Sequence, residues 1–246
     1  MKSIDDLDLK SKKIIIFDVD GTLIDSIGIW NKTDSEMIRK YGRIKVDENI
    51  IQRDRDNFLS NNNDKDIYIE YCNYLIEKYN MNITKDEFLK ERYGSVQDYF
   101  VNKMDYKEYV DKVINKLYSL GYTLCIGTTT TKNQIDTYAN KNIKMKEKVD
   151  LYKCFDYIVT KEDIKNKKPN PEVYLNILNH YDIDPKYCLV FEDSIAGIKA
   201  SKSAGIEVVN IYDVYADNDR EEIDKLTDYK IDSFKEILDL IEFSLY

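Results

Sequence analysis

The segment IIIFDVDGTLIDS, residues 14–26, places four consecutive apolar residues directly before the acidic pair Asp18 and Asp20. An uninterrupted apolar run of this length is typical of a strand that is buried on both faces of a parallel sheet. Ligands of open parallel sheets bind beyond the carboxyl ends of the strands, where these two carboxylates lie. Gly21 allows the sharp turn that follows. The segment therefore indicates an α/β protein with an acidic site at the end of its first strand.

Four further apolar runs have the same character, and all lie in the second half of the chain, at residues 123–127, 157–160, 187–191 and 208–211. Helical patterns lie among them, at residues 106–120, 132–140, 171–180 and 195–203. Buried strands that alternate with helices predict a parallel sheet with helices on both faces. We therefore expect one α/β core domain, made of residues 1–27 and 104–246.

Residues 28–103 have a different pattern, with helical periodicity and no convincing strand. The predicted helices cover residues 29–41, 47–60, 64–79, 85–92 and 96–102. Gly42 and Gly94 are candidate C-caps, and Thr84 is a candidate N-cap. This part of the chain is therefore interpreted as an all-helical domain inserted after the first strand.

Composition disfavours several classes of partner. The chain has 246 residues and a formal net charge of −9, which disfavours binding to nucleic acid or to an anionic membrane surface. No apolar run approaches the length of a membrane-spanning helix, and the charged N-terminus lacks a signal-peptide core. The four cysteines show no CxxC spacing, and the single histidine argues against a histidine-based site. We expect a reduced, cytoplasmic protein, and a monomer.

Polar residues follow four of the predicted strands. Asp18 and Asp20 follow the first, the threonines of TTTT follow the second, NKKPNP comes after the third, and EDS follows the fourth. Each has an ordinary structural explanation, because acids form turns, threonines and serines cap helices, and most lysines are solvated. Four such features in this order on one edge of a sheet favour a functional site instead.

The chemistry that uses this combination is phosphoryl transfer. A carboxylate can accept a phosphoryl group as a nucleophile, and Mg²⁺ prefers hard oxygen ligands such as carboxylates. A lysine and a threonine hydroxyl can neutralise and orient the phosphoryl oxygens. The Asp-x-Asp spacing allows one carboxylate to reach phosphorus while the other protonates the leaving oxygen. A non-enzymatic receiver domain uses similar residues, but the helical insert argues against that alternative.

Four segments resemble, in order, the motifs of the haloacid dehalogenase-like hydrolase superfamily: FDVDGTL, the strand that ends at Thr128, KPNPEVY, and VFEDSIAGIKASKSAG. The resemblance covers nearly the whole core domain. The helical insert is similar to the cap of the β-phosphoglucomutase-like and phosphoglycolate phosphatase-like branch. The resemblance implies a Rossmann-like parallel sheet with an inserted helical cap domain.

The resemblance also implies roles for the acidic residues. Asp18 would be the nucleophile and a Mg²⁺ ligand. Asp20 would act as general acid and then as general base, and its backbone carbonyl would contact the metal ion. Glu192 and Asp193 would complete the magnesium site.

The same resemblance assigns the phosphate-binding residues. Thr128 would bind the phosphate through its hydroxyl, with Thr129 as an alternative within the run of four threonines. Lys168 would hold the phosphate and the nucleophile, because the lysine of the motif directly precedes the proline. Lys167 is the less favoured neighbour.

The second aspartate favours phosphate esters as substrates, because related dehalogenases and phosphonate-cleaving enzymes lack it. The function expected from the resemblance is a Mg²⁺-dependent phosphatase of small phosphorylated metabolites. A phosphosugar mutase of the β-phosphoglucomutase type is the alternative. It is disfavoured because IIQRDRDNFLSNNN, residues 50–63, lacks the glycine of the mutase specificity loop. Arg53 and Arg55 are candidates for contact with an anionic substrate, although charged side chains on helices usually face solvent. Trp30 is expected to pack near the hinge or within the cap rather than to serve as a platform for the substrate.

Overall fold

The computed structural model of the chain describes residues 2–60 and 67–243. It divides into two compact units, one formed by Met1–Asp25 with Met104–Tyr246 and the other by Ser26–Lys103. The predicted domain boundaries lie at 27/28 and 103/104, beside these divisions. Residues 61–63 of the segment IIQRDRDNFLSNNN and residues 64–66 of the helix predicted at 64–79 lie outside the described residues.

The first unit contains a six-stranded parallel sheet with the order β3-β2-β1-β4-β5-β6. The strands are β1 (Ile14–Phe17), β2 (Thr123–Gly127), β3 (Tyr157–Val159), β4 (Cys188–Glu192), β5 (Glu207–Ile211) and β6 (Tyr229–Ile231). The five predicted strands are present, with bounds that differ by at most one residue at either end. The predicted fold class, a Rossmann-like parallel sheet with a helical insert, is confirmed.

Strand β1 lies at the centre of this sheet and pairs with β2 on one side and β4 on the other. Ile16 is opposite Cys125 of β2 and Val190 of β4, and all four residues of β1 are buried. The chain winds outward from β1 to β3 and then returns to add β4 on the opposite side of β1. Such a reversal opens a crevice at the carboxyl ends of the strands, which is where ligands bind in this class of sheet.

The helices of the α/β unit are α5 (Val110–Ser119), α6 (Lys132–Asp136), α7 (Ile143–Lys148), α8 (Leu151–Cys154), α9 (Glu172–Tyr181), α10 (Ile195–Ser203), α11 (Arg220–Leu226) and α12 (Phe234–Phe243). The helix predicted at residues 106–120 begins later than expected. Tyr106 instead forms a bridge with Ile24, and Tyr109 has the left-handed φ of 67°, so neither belongs to a helix.

The second unit is all-helical in its described part, with α1 (Ile27–Met37), α2 (Glu48–Ser60), α3 (Ile67–Lys78) and α4 (Lys85–Asn102). Its separate apolar core includes Met37, Ile38, Ile51, Tyr71, Leu75 and Phe88. Thr84 caps α4 through a reciprocal capping box with Glu87, as predicted. Across the described residues, no helix combines the length and apolar character that a bilayer crossing requires.

The helix break predicted at Gly94 is wrong, because α4 runs through this residue without interruption. Phe88, Arg92, Val96 and Phe100 are buried at intervals of four residues, so one continuous face packs inward on both sides of Gly94. A glycine inside a helix costs about 1 kcal/mol relative to alanine, and burial of two phenylalanines exceeds that cost.

Candidate active site

Lys168 lies at the centre of a polar cluster at the carboxyl ends of β1, β2 and β4. Its Nζ donates to Asp18 Oδ1 at 2.5 Å, to Glu192 Oε1 at 2.6 Å and to the Gly127 carbonyl at 2.9 Å. The side chain is only 6% exposed. Burial lowers the pKa of Lys168, but the charges of Asp18 and Glu192 raise it well above the ordinary value, so the lysine is a cation.

Glu192, the last residue of β4, is held by hydrogen bonds to both carboxylate oxygens. Oε1 accepts from Lys168 and from the Tyr174 hydroxyl at 2.9 Å, and Oε2 accepts from the Ser194 hydroxyl at 3.1 Å and from two backbone amides. A Cβ on Gly197 would lie 1.7 Å from Oε1. A side chain at position 197 would therefore displace the Glu192 carboxylate from these hydrogen bonds.

Asp193 is bound to the turn that follows β1. The Thr22 hydroxyl donates to Asp193 Oδ1 at 2.8 Å. Gly21 has a φ of 84°, and a Cβ there would lie 2.2 Å from Asp193 Oδ2. Any larger residue at 21 would force the turn away from Asp193, so this glycine is needed for both its backbone conformation and its size.

Asp18, Glu192 and Asp193 form a compact buried acidic group. Their ligand oxygens lie within 4.8 Å of one another. Burial, followed by the charges of Glu192 and Asp20, raises the pKa of Asp18 to about 7 against the opposing effect of Lys168. Burial and the charges of Glu192 and Asp18 also raise the pKa of Asp193. The carboxylates repel one another, so the cluster favours a cation.

Asp20 points to a second set of partners. The Thr130 hydroxyl donates to Asp20 Oδ2, and the Tyr138 hydroxyl donates to Oδ1 at 3.5 Å. Thr128 is buried directly after β2, and its hydroxyl accepts from the Thr130 amide at 3.2 Å. Two threonines of the TTTT segment thus link the end of β2 to Asp20.

The structure brings Asp18, Lys168, Glu192 and Asp193 into direct contact or close proximity, and it leaves Lys167 exposed outside that cluster. Several residues that contact the site were given no role in it from the sequence: Thr22, Lys107, Thr130, Tyr138, Tyr174 and Asp213. Thr22 and Tyr174 lie within the motif segments FDVDGTL and KPNPEVY, so the sequence could have identified them as candidate site residues.

Lys107 and Asp213 had no such signal. Lys107 Nζ donates to the Gly21 carbonyl and to Asp213 Oδ2, the latter at 2.7 Å. These residues are far apart in sequence and belong to no motif, so only the folded chain brings them to the turn after β1.

Comparison with known protein families identifies the family to which the chain belongs. Residues 15–211 match the family model described as haloacid dehalogenase-like hydrolase. The chain belongs to this hydrolase family. The matched region begins within β1 and ends with β5, so it includes every motif predicted from the sequence, and the expected family membership and enzyme class are confirmed.

Three curated relatives have a phosphatase activity in their names. A phosphorylated carbohydrates phosphatase of Thermotoga maritima is 26% identical over 193 residues, which are 78% of this chain and 82% of that protein. A mitochondrial (DL)-glycerol-3-phosphatase of Arabidopsis thaliana is 23% identical, with 81% and 63% covered. The bifunctional riboflavin kinase/FMN phosphatase of the same plant is 26% identical, and the match spans 82% of this chain and about half (49%) of that protein.

Solved structures share the fold over almost their whole length. A candidate β-phosphoglucomutase from Thermotoga maritima superposes with a TM-score of 0.74 at 24% identity and covers 94% of this chain and 99% of that one. CbbY from Rhodobacter sphaeroides in complex with phosphate gives a TM-score of 0.66 at 19% identity, with the same coverage. At these identities the likeness establishes the fold.

Proposed function

We propose that this hydrolase is a Mg²⁺-dependent phosphatase that cleaves small phosphate monoesters through an aspartyl-phosphate on Asp18. The observation that carries the proposal is the contact between Asp18 and the buried cation of Lys168, at 2.5 Å. A carboxylate fixed by one cation at the end of a central strand is oriented for attack on a phosphoryl group, whose negative oxygens require positive charge nearby.

In the first half of the reaction, an Asp18 oxygen attacks phosphorus and the bond from phosphorus to the ester oxygen breaks. The leaving oxygen takes a proton from Asp20. The hydrogen bonds from Thr130 and Tyr138 hold the Asp20 side chain in a fixed orientation. Lys168 stabilises the phosphoryl oxygens, and Thr128, with Thr129 as the alternative, donates a hydroxyl to them.

In the second half, Asp20 takes a proton from water, and the water oxygen attacks phosphorus. The bond between phosphorus and Asp18 breaks, which releases phosphate and regenerates the carboxylate. Asp20 thereby returns to its protonated form, so the two half-reactions use one residue first as acid and then as base.

The acidic cluster fits a magnesium ion. Asp18, Glu192 and Asp193 offer hard oxygen donors within 4.8 Å of one another, and burial and mutual repulsion raise the pKa values of Asp18 and Asp193. Asp18, Asp193 and the carbonyl of Asp20 would hold the ion, and Glu192 would support them because its oxygens already accept five hydrogen bonds. When bound, Mg²⁺ supplies positive charge to the phosphoryl oxygens.

We favour hydrolysis over phosphosugar mutation for two reasons. The three curated relatives named above are phosphatases, and one acts on phosphorylated carbohydrates. The helical segment at residues 50–60 also lacks a glycine. Incubation with a hexose 1-phosphate and its bisphosphate distinguishes the two activities, because a phosphatase releases free phosphate whereas a mutase yields the 6-phosphate.

The experiment that tests the proposal is the Asp18→Asn variant, assayed with phenyl phosphate and Mg²⁺. The amide cannot act as the nucleophile, so we expect kcat to fall about 10³-fold or more. Asp25→Asn is the matched control, because it makes the same chemical change at an exposed position of the same segment. We expect this control to keep its activity.

Retention of wild-type turnover by a folded Asp18→Asn protein would contradict the nucleophile assignment. Folding is checked independently by the thermal melting temperature and by circular dichroism, so that loss of structure is not mistaken for loss of chemistry.

A further inference from the structure

The turn that follows β1 is held by hydrogen bonds on both sides of Gly21. On one side, the Gly21 amide donates to the Ile24 carbonyl at 2.8 Å. Because a peptide group is planar, this bond also sets the direction of the Asp20 carbonyl. On the other side, the Gly21 carbonyl accepts from Lys107 Nζ. Glycine has the widest backbone freedom of any residue, so these two bonds restrict a position that would otherwise adopt many conformations.

Lys107 contacts this turn through its backbone as well as its side chain. Its amide donates to the Leu23 carbonyl at 2.9 Å, and the neighbouring Tyr106 forms an antiparallel bridge with Ile24. The Lys107 side chain is 19% exposed, and that of its partner Asp213 is 4% exposed. The ammonium group is therefore directed into the protein and contacts the turn at a defined point.

Asp213 holds the ammonium group of Lys107 from the loop after β5. Its Oδ2 accepts from Lys107 at 2.7 Å, and its Oδ1 accepts from the Tyr215 amide at 2.9 Å. The Asp213 carbonyl accepts from Arg220 Nη2 at 2.9 Å. Because Asp213 is itself held on both sides, it restricts the otherwise flexible lysine side chain to one position.

The loop after β5 is also joined to the acidic residues at the end of β4. Arg220 Nη1 donates to Asn210 Oδ1 at 3.1 Å. Asn210 is fully buried, and its Nδ2 donates to the carbonyls of Glu192 and Asp193 at 3.1 and 3.3 Å. The Asp193 side chain accepts in turn from Thr22. Hydrogen bonds therefore run from the turn after β1 through the loop after β5 to the end of β4, and back to the turn.

We propose that Lys107 is a positioning residue for the divalent cation. Together with Asp213, it holds the turn after β1 so that the Asp20 carbonyl and the Asp193 side chain face the ion at the same time. This inference rests on the metal site of the proposed function, and it adds a residue that acts through the Gly21 carbonyl rather than by contact with the ion.

Positioning and simple electrostatics predict opposite effects for the loss of Lys107. Its positive charge lies beside the turn that contacts Asp193, so removal of that charge alone should tighten the binding of Mg²⁺. Loss of the hydrogen bond to Gly21 should instead weaken binding, because the turn then also adopts conformations in which the Asp20 carbonyl is turned away. The sign of the change in affinity therefore separates a positioning role from an effect of charge.

The test is Lys107→Met, with Mg²⁺ binding to the full chain measured by isothermal titration calorimetry in the absence of substrate. We expect the Kd for Mg²⁺ to rise about tenfold or more, as is typical when a group that orients a metal ligand is lost. Hydrogen exchange in the peptide spanning residues 18–24 should become faster, because the Gly21 amide lies in the released turn. Unchanged or tighter binding of Mg²⁺ would overturn the proposal.

Lys12→Met is the matched control. Lys12 Nζ also donates to one backbone carbonyl, that of Lys186 at 2.8 Å, and to one carboxylate, Glu207 Oε2 at 2.6 Å. Its side chain is 5% exposed, but it precedes β1 and therefore lies at the opposite edge of the sheet. We expect this variant to lose stability and to keep its affinity for Mg²⁺. An equal rise of the Kd in both variants would show an effect of stability alone and would overturn the positioning role.

Asp213→Ala is the second variant and covers the case in which Lys107→Met does not fold. It removes the carboxylate that holds the ammonium group but leaves Lys107 in the chain. We expect weaker Mg²⁺ binding and faster exchange in residues 18–24. Exchange at the wild-type rate would contradict the proposal, because a change of charge alone does not release the turn.

These measurements need no turnover, so they separate the positioning role from the phosphatase mechanism. Weaker Mg²⁺ binding in Lys107→Met, together with full turnover by Asp18→Asn, would contradict the nucleophile assignment and support the positioning role. Wild-type Mg²⁺ affinity in Lys107→Met, together with lost turnover in Asp18→Asn, would overturn the positioning role alone. A wild-type chain that binds no Mg²⁺ would overturn both the positioning role and the proposed metal site.

Discussion

Two buried clusters of charged residues in the described parts of the two units have opposite compositions. At the sheet edge, the acids Asp18, Glu192 and Asp193 surround a single cation, Lys168. In the helical unit, two arginines surround the single carboxylate of Asp34. Acids therefore outnumber the cation in the first cluster, whereas cations outnumber the acid in the second.

The two clusters also differ in how they can relieve their charge. Carboxylates can take up protons, and the raised pKa of Asp18, about 7, is a sign of this response. Arginine cannot lose its proton in a protein, so the two guanidinium groups of the helical cluster keep their charge at every accessible pH. Removal of the oppositely charged residue, Lys168 at the sheet edge or Asp34 in the helical unit, should therefore have different consequences.

Among the changes that compare the two clusters, the largest expected effect comes from Lys168→Met at the sheet edge. This change removes the cation that contacts Asp18 and Glu192, so the phosphoryl oxygens lose a stabilising charge. We expect kcat/KM for phenyl phosphate to fall about 10²- to 10³-fold. Lys167→Met is the control and should change the rate little, because Lys167 is exposed. Equal losses of kcat/KM in both variants would contradict the assignment of Lys168 as the cation that stabilises the phosphoryl oxygens.

The second prediction concerns Asp34, the buried acid of the helical unit. Asp34→Asn leaves two buried guanidinium groups without a counter-charge, so the free energy of unfolding should fall by about 3 kcal/mol. The loss should be the same between about pH 5 and pH 8, because the arginines stay charged throughout this range. Urea denaturation at both pH values measures it.

Asp98→Asn is the control for this prediction, because Asp98 is exposed in the same unit and lies 3.9 Å from its partner Lys103. Such a pair contributes little to stability. A stability loss in Asp34→Asn that is present at about pH 8 and absent at about pH 5 would contradict the contrast between the two clusters.

The smallest effect is a pH-dependent response to magnesium. Burial and neighbouring acids raise the pKa values of Asp18 and Asp193 in the folded chain. The folded state then binds more protons than the unfolded state, so the metal-free protein loses stability as pH rises from about 4 to about 7. Mg²⁺ relieves the repulsion between the carboxylates, and its stabilising effect should therefore grow with pH.

Thermal melting with and without saturating Mg²⁺ measures this response. We expect the rise in Tm to be larger at about pH 8 than at about pH 5, by about 3 °C. The difference should shrink in Asp18→Asn, which lacks one of the titrating carboxylates. The same rise at both pH values would show that the metal ion does not bind at these acids.

The sheet edge could be predicted from the sequence because strand ends determine where its residues lie. Once β1, β2 and β4 are recognised, Asp18, Thr128 and Glu192 must come to the same edge. Strand β6 was missed because its three residues, YKI, show too little apolar character to stand out. Lys107 was missed because its contact with Gly21 depends on a loop rather than on a strand end.

The helical cluster could not be predicted in the same way. Asp34, Arg55 and Arg92 come from three helices, and only the packing of those helices brings them together. One signal was present in the sequence, since the apolar residues Phe88, Val96 and Phe100 lie at helical spacing on both sides of Gly94, as expected for one continuous helix. That period places Arg92 on the buried face but does not reveal its partner.

The most direct test of the central claim is chemical trapping of phosphorylated Asp18. The Asp20→Asn variant, which lacks the general base, is mixed with p-nitrophenyl phosphate and Mg²⁺ so that the intermediate accumulates. Quenching, borohydride reduction and mass spectrometry of the peptide spanning residues 14–32 then locate the modified residue. We predict homoserine at position 18. Release of p-nitrophenolate with Asp18 unmodified, or modification of a different acid, would contradict the account.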